Sequence, residues 1–318
     1  MNDNEAISWA SDTLAKLGIN LLEAPKLIRA MPWSKVTCFS TSKGNIYLKQ
    51  MSAQFAVEPL VLNLLKEMSV PATKVIAHNE KELLFLMLDA GSCLREKLKT
   101  NYDTALVCQL LKSYAKIQLE SIAKVENFLA LDVKDWRLSQ LPSLYNTLLS
   151  EENLLLNDGL SITELNQLKE HHNTFVEDCA RLAAFGIPET IEHGDFHDNN
   201  ILISVNNQFT FNDWGDANIT HPFFSLGSWL DSASRHHNLQ KQDPRYLMLS
   251  KAYLEAWGSY APLESLFEAF EVSERLRPIL FSINFCRVVS CEGMEKLGQF
   301  KGYISDALKE YIVSSINV

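Results

Sequence analysis

The sequence predicts an α+β chain in which strands come first, helices follow, and one short hairpin is set into the helical part. Three observations carry this. From Ile19 to Gln50, and again from Thr73 to Leu88, β-branched and aromatic residues come in short runs broken by turn residues. From Leu94 onward, apolar residues recur mostly at helical spacing. Within that second region, Ile201-Leu202-Ile203 and Phe209-Thr210-Phe211 flank the polar pair Asn206-Asn207, the pattern of a hairpin. The expected organisation is a small N-terminal antiparallel sheet with one helix over residues 1–90, and a large, mainly helical part over 91–318.

Taken in order, Ile7, Ala10, Leu14 and Leu17 mark a short amphipathic helix that Gly18 stops. Lys35–Phe39 and Asn45–Lys49 read as two strands around a Ser42-Lys43-Gly44 turn, preceded by Pro32-Trp33-Ser34. Lys49 closes the apolar run Ile46-Tyr47-Leu48, where a lysine commonly snorkels towards solvent. A helix follows in QFAVEPLVLNLL. Proline is tolerated only in a helix's first turn, so with Pro59 either the helix starts near Ala56 or Glu58 sits close to its N-terminus. Thr73–His78 and Leu83–Leu88 are two more strands, ended by Asp89-Ala90-Gly91. Beyond them, Leu106, Leu110, Leu111, Tyr114, Ile117 and Ile122 form one apolar stripe. Further helices are expected over Trp136–Leu149, Ile162–Leu182, Phe223–Leu230, Pro244–Trp257, Pro262–Phe270 and Arg277–Met294.

Composition narrows the function classes. The formal net charge of −10 argues against nonspecific nucleic-acid binding and is compatible with a cationic small partner. No apolar run reaches the roughly 18 residues of a membrane span, and the acidic start MNDNEAISWASD lacks a signal pattern. Six scattered cysteines without C-x-x-C spacing fit free thiols in a reducing cytoplasm.

The chemistry concentrates in Ile191–Ala217, IEHGDFHDNNILISVNNQFTFNDWGDA. A strand and loop lead into His193-Gly194-Asp195, Asn200 follows five residues later, and the far side of the hairpin presents Asp213-Trp214-Gly215. The hairpin is expected to bring Asp195 and Asn200 to one side, and Asp213 to the other, of one small cleft. Such a set suits one carboxylate orienting or deprotonating a hydroxyl while an amide and a second carboxylate hold Mg²⁺ against nucleotide phosphates.

His193-x-Asp195-x-x-x-x-Asn200 followed by Asp213-x-Gly215 resembles the catalytic and metal loops of the aminoglycoside phosphotransferase and choline kinase superfamily. The combination HGDFHDNNIL, NDWGDA and HPFFSL is similar to its bacterial phosphotransferase-family branch. The resemblance implies a two-lobed protein-kinase-like fold and transfer of phosphate from ATP or GTP, with Mg²⁺, to a hydroxyl of a small molecule: an aminoglycoside, an amino alcohol or a sugar. It implies Asp195 acting on the acceptor hydroxyl, His193 bracing the loop, and Asn200 and Asp213 holding the metal. His197 stands where a residue near the γ-phosphate is found, or is a surface histidine. Lys49, paired with Glu58, is implied to contact the α- and β-phosphates. Met87 to Asp89 offer backbone groups to adenine, and Ser34 offers a hydroxyl or N–H to phosphate from a loop without glycine. Two positions depart from the family pattern: His221 and Ser225 stand where it often has aspartates, so support of the catalytic loop at Ser225 is expected to be uncharged and weaker. Asp198 and Asp216 receive no role. Competing readings are a catalytically silent nucleotide-binding scaffold, and a protein Ser/Thr kinase. The latter is opposed by the missing A-P-E segment and glycine-rich loop and by the short stretch after Asp213. A monomer or homodimer without nucleic-acid or membrane partners is expected.

Overall fold

The computed structural model describes residues 2–316. Helix α1 (Asp3–Lys16) opens the chain with a capping box, Asn2 accepting from the Glu5 N–H and Glu5 from the Asn2 N–H. Strands β1 (Lys26–Met31), β2 (Ser34–Thr41) and β3 (Gly44–Met51) follow, then helix α2 (Glu58–Glu67), β4 (Val75–Asn79), β5 (Leu84–Leu88) and β6 (Ser92–Cys93). The helical stretch comprises α3 (Leu94–Thr100), α4 (Thr104–Ser121), α5 (Val125–Leu129), β7 (Lys134–Asp135), α6 (Leu141–Ser150), α7 (Glu152–Asp158), α8 (Ile162–Glu170) and α9 (His172–Ala183). Strand β8 (Thr190–Glu192), the hairpin β9 (Ile201–Ile203) and β10 (Phe209–Phe211), and β11 (Asn218–Thr220) come next. Helices α10 (Phe223–His237), α11 (Pro244–Leu254), α12 (Leu263–Glu292) and α13 (Tyr303–Ile316) complete the chain. The α+β class holds, with an antiparallel sheet in the N-terminal part and helices dominating the rest.

Two compact units emerge. The first comprises residues 1–96 with 199–216, the second 97–198 with 217–318, so the hairpin groups with the first. In the first unit the sheet order is β1-β2-β3-β5-β4, antiparallel throughout. Helix α1 covers one face: Ala6, Ala10 and Leu14 pack with Phe39, Ile46, Leu48, Leu84 and Leu86. Side chains alternate along a strand, so Lys49 points to the face opposite Ile46 and Leu48. The hairpin extends by pairing β9 with β6. This contact needs Gly91, whose φ is 119° and where a Cβ would lie 2.4 Å from the Ile203 carbonyl oxygen.

In the second unit, β7, β11 and β8 form a three-stranded sheet, β11 parallel to β7 and antiparallel to β8. Around it the structure departs from the sequence reading in several places, and α5, α7 and the extension of α10 from Leu230 to His237 were not expected. Helix α6 starts at Leu141 rather than Trp136, because Lys134-Asp135 is a strand and the Trp136 N–H donates to the Ile219 carbonyl at 2.9 Å. Ile162–Leu182 breaks at His171 into α8 and α9. The two helices expected around 262–294 are one, α12, which carries Pro278 in its interior; Ile279 and Leu280 beside it are buried, and their packing holds the helix across the missing N–H. Helix α13 was not expected, although Ile304, Leu308, Tyr311 and Ile312 form a buried helical stripe.

Candidate active site

Lys49 lies inside β3 rather than at its end, since the strand continues to Met51. Its side chain is 7% exposed. The Lys49 Nζ is 2.6 Å from Glu58 Oε2 and 2.5 Å from Asp213 Oδ1. Glu58 is the first residue of α2, with Pro59 accommodated in the first turn, which decides between the two helix starts. Burial alone would lower the lysine's pKa, but Asp213 and Glu58 outweigh it and hold the ammonium above the ordinary lysine range. Glu58 goes the other way: burial pushes its carboxyl up to about 7, Lys49 pulls it back only in part, and Asp213 adds to the rise.

Asp213 is placed by backbone. Phe211 N donates to the Pro71 carbonyl at 2.8 Å, and Asn212 N donates to the Asn200 carbonyl at 2.9 Å. The Thr73 hydroxyl donates to Asn212 Oδ1 at 2.8 Å. Asp213 itself sits at φ 67°, a left-handed conformation that aspartate tolerates better than most residues. Gly215 follows for want of room: a Cβ there would lie 3.0 Å from Phe55 Cδ1 and 3.4 Å from Glu58 Oε2. Asn200 is buried in a single turn of 3₁₀-helix leading into β9. Asn200 and Asp213 are hard oxygen donors of the kind Mg²⁺ takes together with water and phosphate. Among the described residues no cluster of three or more His, Cys, Asp or Glu forms a self-sufficient metal cage. A carboxylate 35% exposed fits a cation that arrives with its own ligands.

The other residues named for the nucleotide are also in this unit. Ser34 starts β2, opposite Met51, directly after the two-residue Pro32-Trp33 turn. Met87 is buried in β5 between β3 and β4. Asp89 follows that strand and caps the next turn, its Oδ1 accepting from Gly91 N at 3.0 Å.

In the second unit, His193 is fully buried. Its N–H donates to the Tyr114 hydroxyl at 3.0 Å, and its Nδ1 accepts from Asp195 N at 3.4 Å. The Asp195 side chain is 51% exposed, and its Oδ1 lies 3.1 Å from His197 Nε2. The sequence had left His197 open; the structure puts it against Asp195. Asp198, without a role until now, is buried against His237 at 2.5 Å, which ties the loop to the end of α10. Asp216 lies near enough to Glu58 to raise its pKa.

Sequence reasoning missed Glu192. This buried carboxylate accepts from Gly194 N at 2.6 Å, Asn218 Nδ2 at 2.9 Å and the Ser225 hydroxyl at 2.8 Å. Ser225 contributes an uncharged hydroxyl, as expected, and the charge that the sequence reading did not foresee comes from Glu192 on β8. Burial raises the Glu192 pKa, and the three donors offset that in part. The available signal was a glutamate in TIE, a strand otherwise apolar enough to be buried.

Comparison with solved structures gives the fold. The chain is similar to an ethanolamine kinase from Plasmodium vivax, at a TM-score of 0.65 and 11% identity, covering 99% of this chain and 89% of that one. It is similar to a choline kinase from Streptococcus pneumoniae at 0.65 and 12%, covering 98% and 99%. It is similar to a GDP complex of aminoglycoside 2'-phosphotransferase-IIIa at 0.63 and 13%, again covering 98% and 99%. At such identities the likeness establishes the kinase-like α+β fold and nothing finer. Comparison with curated proteins gives no match. A family model described as the phosphotransferase enzyme family matches residues 50–263, more than half of the chain and a span that includes Glu58, Asp195, Asn200 and Asp213, and the chain accordingly belongs to that family.

Proposed function

We propose that the chain transfers the γ-phosphate of ATP or GTP to a hydroxyl of a small molecule, of aminoglycoside, amino alcohol or sugar type. The observation that carries this reading is the buried lysine held between two carboxylates, Lys49 with Glu58 and Asp213. Taking Lys49 and Glu58 out of water is costly, and a hydrophobic cluster of the same volume often serves stability as well or better. A point cation kept there suits a ligand that brings negative charge, as a nucleotide's phosphates do.

In this reading residues 1–90 carry the nucleotide and 91–318 the acceptor, with the metal residues supplied by the hairpin. Lys49 neutralises phosphate charge and Glu58 holds it in place. Met87 and Asp89 would offer backbone groups to the base, and Ser34, beside the Pro32-Trp33 turn, would offer its hydroxyl or N–H to the phosphates. Asn200 and Asp213 would hold Mg²⁺, which would neutralise charge on the phosphates. Asp195 orients the acceptor hydroxyl or takes its proton at the carboxylate, with His197 beside it at 3.1 Å. His193 braces the loop by accepting from Asp195 N. The six free thiols support a reducing, cytoplasmic setting, and among the described residues no helix is long and apolar enough to cross a membrane.

The test is a nucleotide-consumption screen with Mg²⁺ over hydroxylated metabolites and antibiotics, using ATP and GTP separately. Acceptor-dependent release of nucleoside diphosphate is expected for at least one acceptor class. A protein that binds nucleotide but turns over with no acceptor in a broad panel would refute the reading in favour of a silent scaffold.

A further inference from the structure

The backbone on both sides of Asp195 is pinned while its side chain is left exposed. Gly194 N is held by Glu192, His193 N by the Tyr114 hydroxyl, and the Phe196 ring stacks on Tyr114 at 3.8 Å between centroids, 16° from parallel. The groups doing the pinning are themselves held. The Ser225 Oγ lies 3.1 Å from the Tyr114 hydroxyl and receives Gln118 Nε2 at 3.3 Å, and Gln118 Oε1 accepts from the Tyr253 hydroxyl at 2.5 Å. Among the described residues named in this network, Glu192 is the charged one.

We propose that Glu192 is a positioning residue for the transfer: its carboxylate gathers the Gly194 amide, the Asn218 amide and the Ser225 hydroxyl, and so fixes the backbone that presents Asp195. Three neutral donors meet this carboxylate, and among the described residues no cation pairs with it. A buried charge without a counter-charge is costly, and packing alone is served better by an apolar residue. The charge has a geometric use. An ionised carboxylate accepts at both oxygens: Oε2 takes the loop donor Gly194 N and the β11 donor Asn218 Nδ2, and Oε1 takes the α10 donor Ser225 Oγ, whereas a neutral amide has a single accepting atom. The network therefore ties the loop to two separate elements through one side chain. This inference rests on the reading of Asp195 as the group that acts on the acceptor.

Glu192→Gln keeps the shape but removes the charge and one accepting oxygen, so an amide nitrogen either faces the donors Gly194 N and Asn218 Nδ2 or takes from Ser225 the acceptor of its hydroxyl proton. Steady-state kinetics on the acceptor found in the screen should give a kcat lower by about 10²-fold, the lower end of what a positioned base contributes. The KM for nucleotide should stay within about threefold, because the residues assigned to the nucleotide are untouched. Amide hydrogen exchange over 193–196 should be faster in the same variant. The double variant Glu192→Ala/Ser225→Asp returns a carboxylate from the α10 side and should recover kcat to within about tenfold of wild type. A folded Glu192→Gln protein with kcat within threefold and unchanged exchange overturns the proposal, as does a folded double variant that recovers nothing. Should Glu192→Gln fail to fold, Ser225→Ala removes a single contact, and it should still speed exchange over 193–196 and lower kcat several-fold; no change in either overturns the proposal. If the wild type turns over with no acceptor, the functional reading fails by itself, and the exchange arm still decides whether Glu192 fixes the loop.

Discussion

Replacing Lys49 with Met removes the cation from between Glu58 and Asp213 while keeping most of the side chain's length. The sequence alone allows this lysine to snorkel towards solvent, where its loss would cost little; its 7% exposure and two short ion pairs point the other way. Removing one partner of a buried pair costs about 3–5 kcal/mol, because the other is left buried without compensation. Here the residue left behind is Glu58, 1% exposed and already raised to about 7 with the lysine present. Without Lys49 its folded-state pKa rises further. A carboxyl raised above its ordinary 4.5 costs nothing below that value and costs progressively more as pH rises towards the folded-state pKa. Between pH 4.5 and 7 this loss is common to wild type and variant; above pH 7 it continues only in the variant, at about 1.4 kcal/mol per unit. Urea denaturation at pH 6 and pH 8.5 should therefore show a deficit for Lys49→Met that is larger at the higher pH by about 2 kcal/mol. Lys49→Met/Glu58→Gln should lose that difference. Equal deficits at both pH values, or a variant within about 1 kcal/mol of wild type at pH 8.5, would refute the reasoning.

Two further predictions follow from single positions. His221 is fully buried, its Nδ1 accepts from Phe223 N at 3.3 Å, and burial lowers its pKa to about 3. A base depressed from 6.5 is protonated first in the unfolded chain, so stability should fall by about 1.4 kcal/mol per unit as pH drops from 6.5 towards 3. His221→Gln keeps an acceptor without that proton and should flatten the profile by one proton's slope; an identical profile contradicts the assignment. Gly91→Ala meets the Ile203 carbonyl oxygen at 2.4 Å in a left-handed backbone, so it should cost at least about 1–3 kcal/mol by urea midpoint. A change under about 0.5 kcal/mol would show that the β6–β9 contact shifts freely.

What the sequence makes legible is what local chemistry writes into it. The α1 stripe, the β2–β3 hairpin, the β5 run and the β9–β10 hairpin are all local patterns, and each is found where it was read. What it hides depends on distant partners. Nothing around Lys49 states that it is buried, because the two carboxylates that permit this come from α2 and from a loop 164 residues away. Glu192 and Ser225 are 33 residues apart, and Asp198 and His237 are 39 apart, so neither pair leaves a local trace. The two- and three-residue strands β7, β8 and β11 are too short to carry a periodicity, and β1 is too exposed to alternate. Pro278 misleads in the opposite direction, since a helix-breaking residue sits inside a 30-residue helix that tertiary packing sustains.

The central claim is that Asp195 and Asp213 do different work: Asp213, beside Lys49, serves the metal-bound nucleotide, and Asp195, exposed on a pinned loop, serves the acceptor. Calorimetric titration of MgATP and MgGTP into Asp195→Asn and Asp213→Ala, with turnover measured on the same preparations, tests this directly. Asp195→Asn should bind the accepted nucleotide as wild type does and lose turnover by about 10²–10⁴-fold. Asp213→Ala should lose Mg²⁺-dependent nucleotide binding together with turnover. Loss of nucleotide binding in Asp195→Asn with retention in Asp213→Ala would reverse the two roles, and unchanged turnover in both would contradict the account.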